Sequence, residues 1–240
     1  MNFKKVKRYA VLGILFFLPV TFLLFLYPAT HNYTPLDIVK ESVLDLDQFT
    51  SDSNENILLK DHITVLGFFG KNPLENVITA SNLKELVYDK FKGFKKFQIV
   101  LIVPEGVHNE VEELKKEIIS YEDLKFWYFS YAKPDMIERL YNSLKSNQKL
   151  NSDLTTNAVF IIDKDLNQRG RIDDRSDNDI EKNREIYGLS SYDCIEVAEI
   201  KNKMSEDIRI LFTEYRQKRK GNFDSTTRRA NDINTENEKN

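Results

Sequence analysis

The sequence predicts an α/β domain of three layers, a mixed sheet sandwiched between helices, with one transmembrane helix in front of it. Three observations carry this expectation: continuous apolar runs at 62–69 (HITVLGFF) and 97–103 (FQIVLIV), helix-spaced apolar residues between and after them, and an uncharged stretch at 9–27. The chain has 240 residues, 41% of them hydrophobic and 12% aromatic, which is room and material for one domain with appendages.

Lys4, Lys5, Lys7 and Arg8 make residues 1–8 a basic segment. From Tyr9 to Tyr27 no charge occurs, and at roughly 1.5 Å per residue a helix of this length nearly crosses a hydrocarbon core of about 30 Å. Tyr9 and Tyr27 suit the two membrane interfaces, and Pro19 is tolerable as a kink. A signal peptide would also begin with basic residues, but Tyr27-Pro28-Ala29-Thr30 is a poor cleavage site, so the anchor is expected to be retained. Four cations precede the span and only Lys40 follows it closely. The expected placement is therefore single-pass in the cytoplasmic (inner) membrane, amino terminus inside and the carboxy-terminal domain periplasmic.

Residues 28–42, with Pro28 and Pro35, read as a stalk, and 43–220 as the domain. After the strand at 62–69, residues 73–91 carry helix-spaced Leu83, Leu86, Val87 and Phe91. A strand at 97–103, a helix at 107–119, a strand at 124–130, a helix at 134–145 and a strand at 158–162 (AVFII) follow. A turn at 163–168 leads to a short strand at 169–173, then a charged insert at 171–187 and a long helix at 194–218. On that last helix Ile208, Leu211, Phe212 and Tyr215 form a stripe suited to packing on a sheet. Residues 221–240 are polar and are expected to be disordered. This alternation implies parallel strands with helices on both faces. Its order is that of a thioredoxin-like fold. A flavodoxin-like sheet would explain the first half, but DKDLNQRGRID at 163–173 reads as a turn between antiparallel strands, which favours the thioredoxin order.

The net charge is −3, and the four amino-terminal cations leave −7 for the remainder, so no nucleic-acid partner is indicated. Cys194 is the only cysteine, which excludes an internal disulfide, a catalytic dithiol and a thiolate metal clamp. Flanked by Asp193 and Glu196, it reads as a buried small residue.

The segments ITVLGFFGKNPLEN and NAVFIIDKDLNQRGRID, the closing charged helix and the anchor in front together resemble the Sco/SenC-type thioredoxin-like proteins, over roughly residues 43–217. That resemblance implies a membrane-anchored factor serving copper delivery to cytochrome oxidase, with copper held by two cysteines of a Cys-Pro-x-x-x-Cys motif and a later histidine. In this chain those positions are Asn72, followed by the matching Pro73, then Asn76 and, near the later strand, Thr155. A neutral amide or hydroxyl is a hard, weak donor where copper prefers sulfur and imidazole, and asparagine cannot exchange disulfides. No cofactor, bound metal or catalytic residue is expected. Locally, Asn72 reads as a helix N-cap with Pro73 at the first position and Glu75 reaching back to the cap. Asn82 and Glu85 repeat the spacing, so a break or restart is expected there.

Other candidates are weaker. Asp163, Asp165, Asn167 and Asp174 resemble calcium-loop positions, but Gln168 stands where the loop needs glycine, and a polar turn is the expected reading. His31, His62 and His108 have no metal-ligand spacing, and no phosphate loop or nucleophile elbow occurs. The expected function is a non-catalytic, membrane-anchored binding or assembly module with a protein partner outside the cytoplasm. The insert supplies Arg171, Arg175 and Arg184 as candidate partner contacts, and the basic tail residues Arg219, Lys220, Arg228 and Arg229 are also available. Two alternatives remain: a metal-binding or enzymatic protein with a relocated carboxylate site around Asp163–Asp174, and a structural envelope protein.

Overall fold

The computed structural model describes residues 3–26, 35–52, 56–119 and 124–219. His31, the 27–30 segment, the front of the expected stalk, Lys220 and the tail at 221–240 lie outside the described residues. The chain forms two compact units, residues 1–34 and 35–240.

The first unit contains helix α1, Phe3–Leu26, 24 residues with Pro19 inside. Its side chains are described without interruption from 11 to 25, and large apolar ones such as Leu12, Phe16, Leu23 and Phe25 are exposed. Among the described residues no helix is long and apolar enough to cross a membrane.

In the second unit the strands are β1 (Asp37–Lys40), β2 (Thr50–Ser51), β3 (Ile63–Phe69), β4 (Phe97–Pro104), β5 (Trp127–Ala132), β6 (Thr155–Ile162), β7 (Gln168–Gly170) and β8 (Tyr192–Asp193). Sheet order is β1-β7-β6-β3-β4-β5-β2, with β8 also paired to β6. The centre, β3, β4 and β5, is parallel, and β6 runs antiparallel to β3. Every residue of β3 and β4 is buried, so both lack polar alternation. Residues 37–40, assigned to the stalk by sequence, are instead edge strand β1, paired antiparallel with β7. Leu36, Val43 and Leu46 are buried, so the folded unit begins ahead of 43.

Helices are α2 (Val77–Leu83), α3 (Asp89–Phe91), α4 (His108–Ile118), α5 (Pro134–Asn142), α6 (Asp177–Glu181) and α7 (Ser205–Arg219). The expected break near Asn82 is absent: a π-helical turn at Lys84–Tyr88 carries α2 into α3, and Asn82 Nδ2 donates to the Cys194 carbonyl at 2.8 Å. The closing helix likewise opens with a π segment, Glu199–Met204. One apolar layer joins alternate sheet residues such as Val65, Ile99 and Leu101 to Leu83, Val87, Leu114, Ile208 and Leu211. The other joins Leu66, Phe68, Val100 and Phe160 to Ile137, Leu140 and Tyr141 of α5. The period of two along each strand divides the side chains between these layers. The mixed α/β sandwich expected from sequence is what forms.

The turn between β6 and β7 is held by buried charge. Asp163 Oδ1 accepts from the backbone N–H groups of Asp165 and Asn167, both at 2.9 Å, closing the turn. Its Oδ2 accepts from Arg169 Nη1 at 3.1 Å, and Arg169 Nη2 donates to the Leu36 carbonyl at 2.9 Å and to Glu214 of α7. Asp163, Arg169 and Glu214 are at most 3% exposed. One guanidinium therefore fastens the turn, the start of β1 and the closing helix. Arg169→Met leaves Asp163 buried without a cation and Glu214 with Lys218 alone; we expect a loss of about 3–5 kcal/mol, read as a lower midpoint in denaturant titration of the full chain in mild detergent.

Candidate functional site

The site suggested by sequence is the junction where β3 meets the turn into α2. Gly70 takes φ +62°, and a Cβ there would stand 2.4 Å from the Asp153 carbonyl oxygen, so the position demands glycine. The next amide, Lys71 N–H, donates to that same carbonyl at 2.8 Å, drawing the loop before β6 against the junction. Pro73–Asn76 then forms a 3₁₀ turn ahead of α2.

Asn72 does not cap this turn with its side chain, which corrects the capping-box expectation. A 3₁₀ turn bonds i to i+3, and the Glu75 N–H goes to the Asn72 backbone carbonyl at 3.1 Å. The donor that a cap side chain would satisfy is already taken. The capping box of this protein is at Ser176 and Asp179, at the start of α6.

Asn76 is buried. Its Nδ2 donates to the Phe69 carbonyl at 3.0 Å and reaches the Asn72 carbonyl at 3.5 Å. Thr155, placed opposite Phe69 by the β3–β6 register, has its hydroxyl 3.4 Å from Asn76 Oδ1 and 3.3 Å from the Phe68 carbonyl. The structure thus brings Asn76 and Thr155 together, while the Asn72 side chain stands exposed at the surface. Both ends of the Asn76 amide are spent on tying the end of β3 to α2 and β6. These are neutral groups, with no thiolate and no imidazole to bind copper or take up an electron pair. Leu74 and Ile78, one helical turn apart, are exposed beside the junction. The loop bearing exposed Ile195 and Val197 is held to the same end, Cys194 N–H donating to the Asn157 carbonyl at 2.9 Å.

A strand ending at a helix start, with an antiparallel strand delivering Thr155 beside it and a β-hairpin followed by a closing helix, decides the fold. The domain is thioredoxin-like. No family model matches the chain, and no curated protein matches it. Solved structures similar to it include BsSco, a member of the Sco family of cytochrome c oxidase assembly proteins (15% identity, TM-score 0.47, covering 74% of this chain and 96% of that one). A SCO1/SenC family lipoprotein from Bacillus anthracis is 14% identical, with TM-score 0.49 and coverage of 75% and 99%. The thioredoxin domain of a thiol-disulfide oxidoreductase from Bacteroides vulgatus is 15% identical, with TM-score 0.36 and coverage of 62% and 100%. The Sco family that the residues resemble is thus also represented among these structures, and at such identities the likeness concerns the fold.

The three candidate partner arginines are engaged within the domain. Arg171 pairs with Asp207, Nη2 to Oδ1 at 2.6 Å, and with Asp174 at 2.9 Å. Arg175 pairs with Asp173 at 2.7 Å and donates to the Arg184 carbonyl at 3.0 Å; Arg184 pairs with Asp179 at 2.9 Å. Arg171 fastens the insert to α7 and the other contacts fold the insert on itself; Arg184 is the most exposed of the three. The carboxylates of the alternative site are spent similarly: Asp163 on Arg169 and the turn, Asp165 on the Tyr215 hydroxyl at 3.0 Å, Asp174 on Arg171 and Lys203. They do not converge on a common point, and among the described residues no group of three acidic, histidine or cysteine side chains could hold a metal. His108 stacks on Tyr131 at 4.1 Å, and His62 Nδ1 lies 3.0 Å from the Lys60 carbonyl.

Cys194 is fully buried, and burial first, then the charges of Asp193 and Glu199, push its thiol well above the usual range. The sequence carried no signal for the approach of Gly70 and Lys71 to Asp153, which lies some eighty residues away in the chain.

Two expected outcomes follow from this geometry. Asn76→Ala removes a buried bond to the Phe69 carbonyl and costs about 1–2 kcal/mol, whereas Asn72→Ala, with no side-chain bond to lose, stays within about 0.5 kcal/mol of the parent; denaturant melts of both variants check the pair. Cys194 stays unmodified by a thiol-directed disulfide reagent in the native chain and reacts fully once the chain is unfolded, as absorbance at the released thiolate would show.

Proposed function

We propose that this chain is a redox-inactive, membrane-anchored Sco/SenC-like protein that serves as a binding or assembly module outside the cytoplasm. The observation that carries the reading is the Asn76–Thr155 contact: the place where resembling proteins hold sulfur and imidazole is closed by a neutral hydrogen-bonded bridge. A scaffold whose junction keeps its shape without a reactive group acts through its surface. The rim of Leu74, Ile78, Ile195 and Val197 around that junction, and the insert with exposed Ile172, Ile180 and Ile186, supply apolar surface for a protein partner.

The anchor reading rests on α1, whose exposed apolar side chains on all sides have no place in water. With cations ahead of it, it favours a cytoplasmic amino terminus and a periplasmic domain in the inner membrane. Respiratory-complex assembly is the process that the resemblance suggests for the partner. The carboxylate alternative is weaker, because Asp163 and Asp174 already have cations and Asp165 accepts from the Tyr215 hydroxyl.

Cross-linking in intact cells followed by purification in mild detergent tests the reading. A specific membrane-protein partner is expected, lost when residues 173–186 are replaced by a short glycine-serine turn and weakened several-fold by Ile78→Glu. Stoichiometric metal binding by the purified chain, abolished by Asp165→Ala, would instead establish the carboxylate site. Reduced oxidase activity in a deletion strain is the expected sign of the assembly role, and unchanged activity would remove it.

A further inference from the structure

The end of the sheet opposite the Asn76–Thr155 junction gathers cations from several segments. Lys60 and His62 lead into β3, Lys95 and Lys96 lead into β4, Lys164 sits in the β6–β7 turn, and Arg219 ends α7. Backbone bonds hold the first three segments together: Ile63 N–H donates to the Lys96 carbonyl at 2.8 Å and Asp61 N–H to the Lys164 carbonyl at 3.0 Å. Lys164 also lies over the Tyr215 ring, 4.9 Å from its centre, which places the end of α7 alongside. The cations feel one another. Burial first, and then Lys96 and Arg219, lower the Lys164 ammonium below its ordinary value; burial, with Lys96 and Lys164 adding to it against the Lys60 carbonyl, lowers His62. Asp61 and Asp165 lie against Lys164, Asp165 already accepting from Tyr215, while Asp163 and Glu214 at the same end are buried on Arg169.

Phe94 stands in the same loop as Lys95 and Lys96. Its ring stacks on Phe212 of α7 at 4.3 Å between centroids, yet the residue is 48% exposed. An aromatic ring held at the tip of a lysine-rich loop, its inner face packed and its outer face open, is the side-chain arrangement that suits a membrane interface. The part of the chain after residue 8 carries −7, so this positive end is not a reflection of overall composition.

We propose that this end, with Phe94, Lys60, Lys95, Lys96, Lys164 and Arg219, is a lipid-facing surface that rests on anionic headgroups. It rests on the anchored reading above, which keeps the domain at a bilayer and so favours lipid over a soluble acidic partner. Each cation near an anionic surface adds roughly 1 kcal/mol of attraction, and several together hold a tethered domain in one orientation.

Hydrogen–deuterium exchange of the full chain, mixed with lipid nanodiscs either zwitterionic or one-third anionic, tests this. Amides of the 93–97 loop and of the turn at Lys164 are expected to exchange several-fold more slowly with anionic discs, and salt should abolish the difference. The triple variant Lys95→Glu, Lys96→Glu, Lys164→Glu should lose at least about fivefold of the protection with its melting unchanged, and Phe94→Ser should lose part of it. Equal exchange with both discs overturns the surface, as does equal protection by inorganic phosphate alone, which would mark a small-anion site. Elution of the chain apart from the discs would refute the anchor and not the surface, since protection on mixing with anionic discs would still register.

Discussion

The constraint on which the rest of this domain depends is the guanidinium of Arg169, buried between two carboxylates. Taking three charges out of water costs several kcal/mol for each before any attraction is counted, so the arrangement survives only because nearly every polar atom is matched. Asp163 gives one oxygen to the turn amides and the other to Arg169, while Glu214 is shared with Lys218. The Arg169 Nε alone has no acceptor. What the triad provides is specificity of placement. A merely apolar contact would let α7 slide along the sheet, whereas a guanidinium fixed by the β6–β7 turn accepts Glu214 at one height and direction only.

That placement governs both ends of the domain. At one end, α7 positioned by Glu214 carries Tyr215 and Arg219 to the turn at Lys164, and Phe212 to the ring of Phe94. At the other, the beginning of α7 brings Asp207 to Arg171 and to the buried Tyr192 hydroxyl, and that network holds the stem of the insert and β8. Strand β8 leads into Cys194, whose N–H and carbonyl bind β6 and Asn82 beside the junction. The junction is supported from behind by a chain of bonds that ends in buried charge, and none of these bonds needs sulfur.

The degree to which this was legible in the sequence follows from how local each determinant is. β3 and β4 are buried on both faces and therefore read as unbroken apolar runs. α4 and α5 were legible from their periodicity, with no end shifted by more than three residues. β1, β2 and β8 are two to four residues long and exist because of partners far away in the chain, so no window around them carries the information. The first residues of β6, Thr155 to Asn157, look like loop because they are polar, yet Thr155 and Thr156 pair with the end of β3 and the Asn157 carbonyl accepts from Cys194. α6 hid in a charge run, although Ser176 and Asp179 three residues apart announce a helix start. At the junction the same signal misled, since Asn72 and Glu75 have cap spacing but the turn they begin is 3₁₀. The meeting of Asn76 and Thr155 was legible only through the family resemblance.

The bonding at the junction bears on how its shape is kept. A junction of mismatched polar groups would leave buried donors without partners, at the cost of their desolvation. Here the opposite holds. Asn76 uses its amide nitrogen on the last carbonyl of β3 and offers its oxygen to the Thr155 hydroxyl, which also faces the Phe68 carbonyl. Among the described buried polar atoms without a partner, Trp127 Nε1, Ser130 Oγ, Arg169 Nε and Ser190 Oγ, none belongs to the three ligand-matching positions. The residues at Asn76 and Thr155 thus answer to each other as a pair. Together with Gly70, which turns the chain, this pair holds the shape of the junction, with Leu74 and Ile78 displayed at the surface beside it.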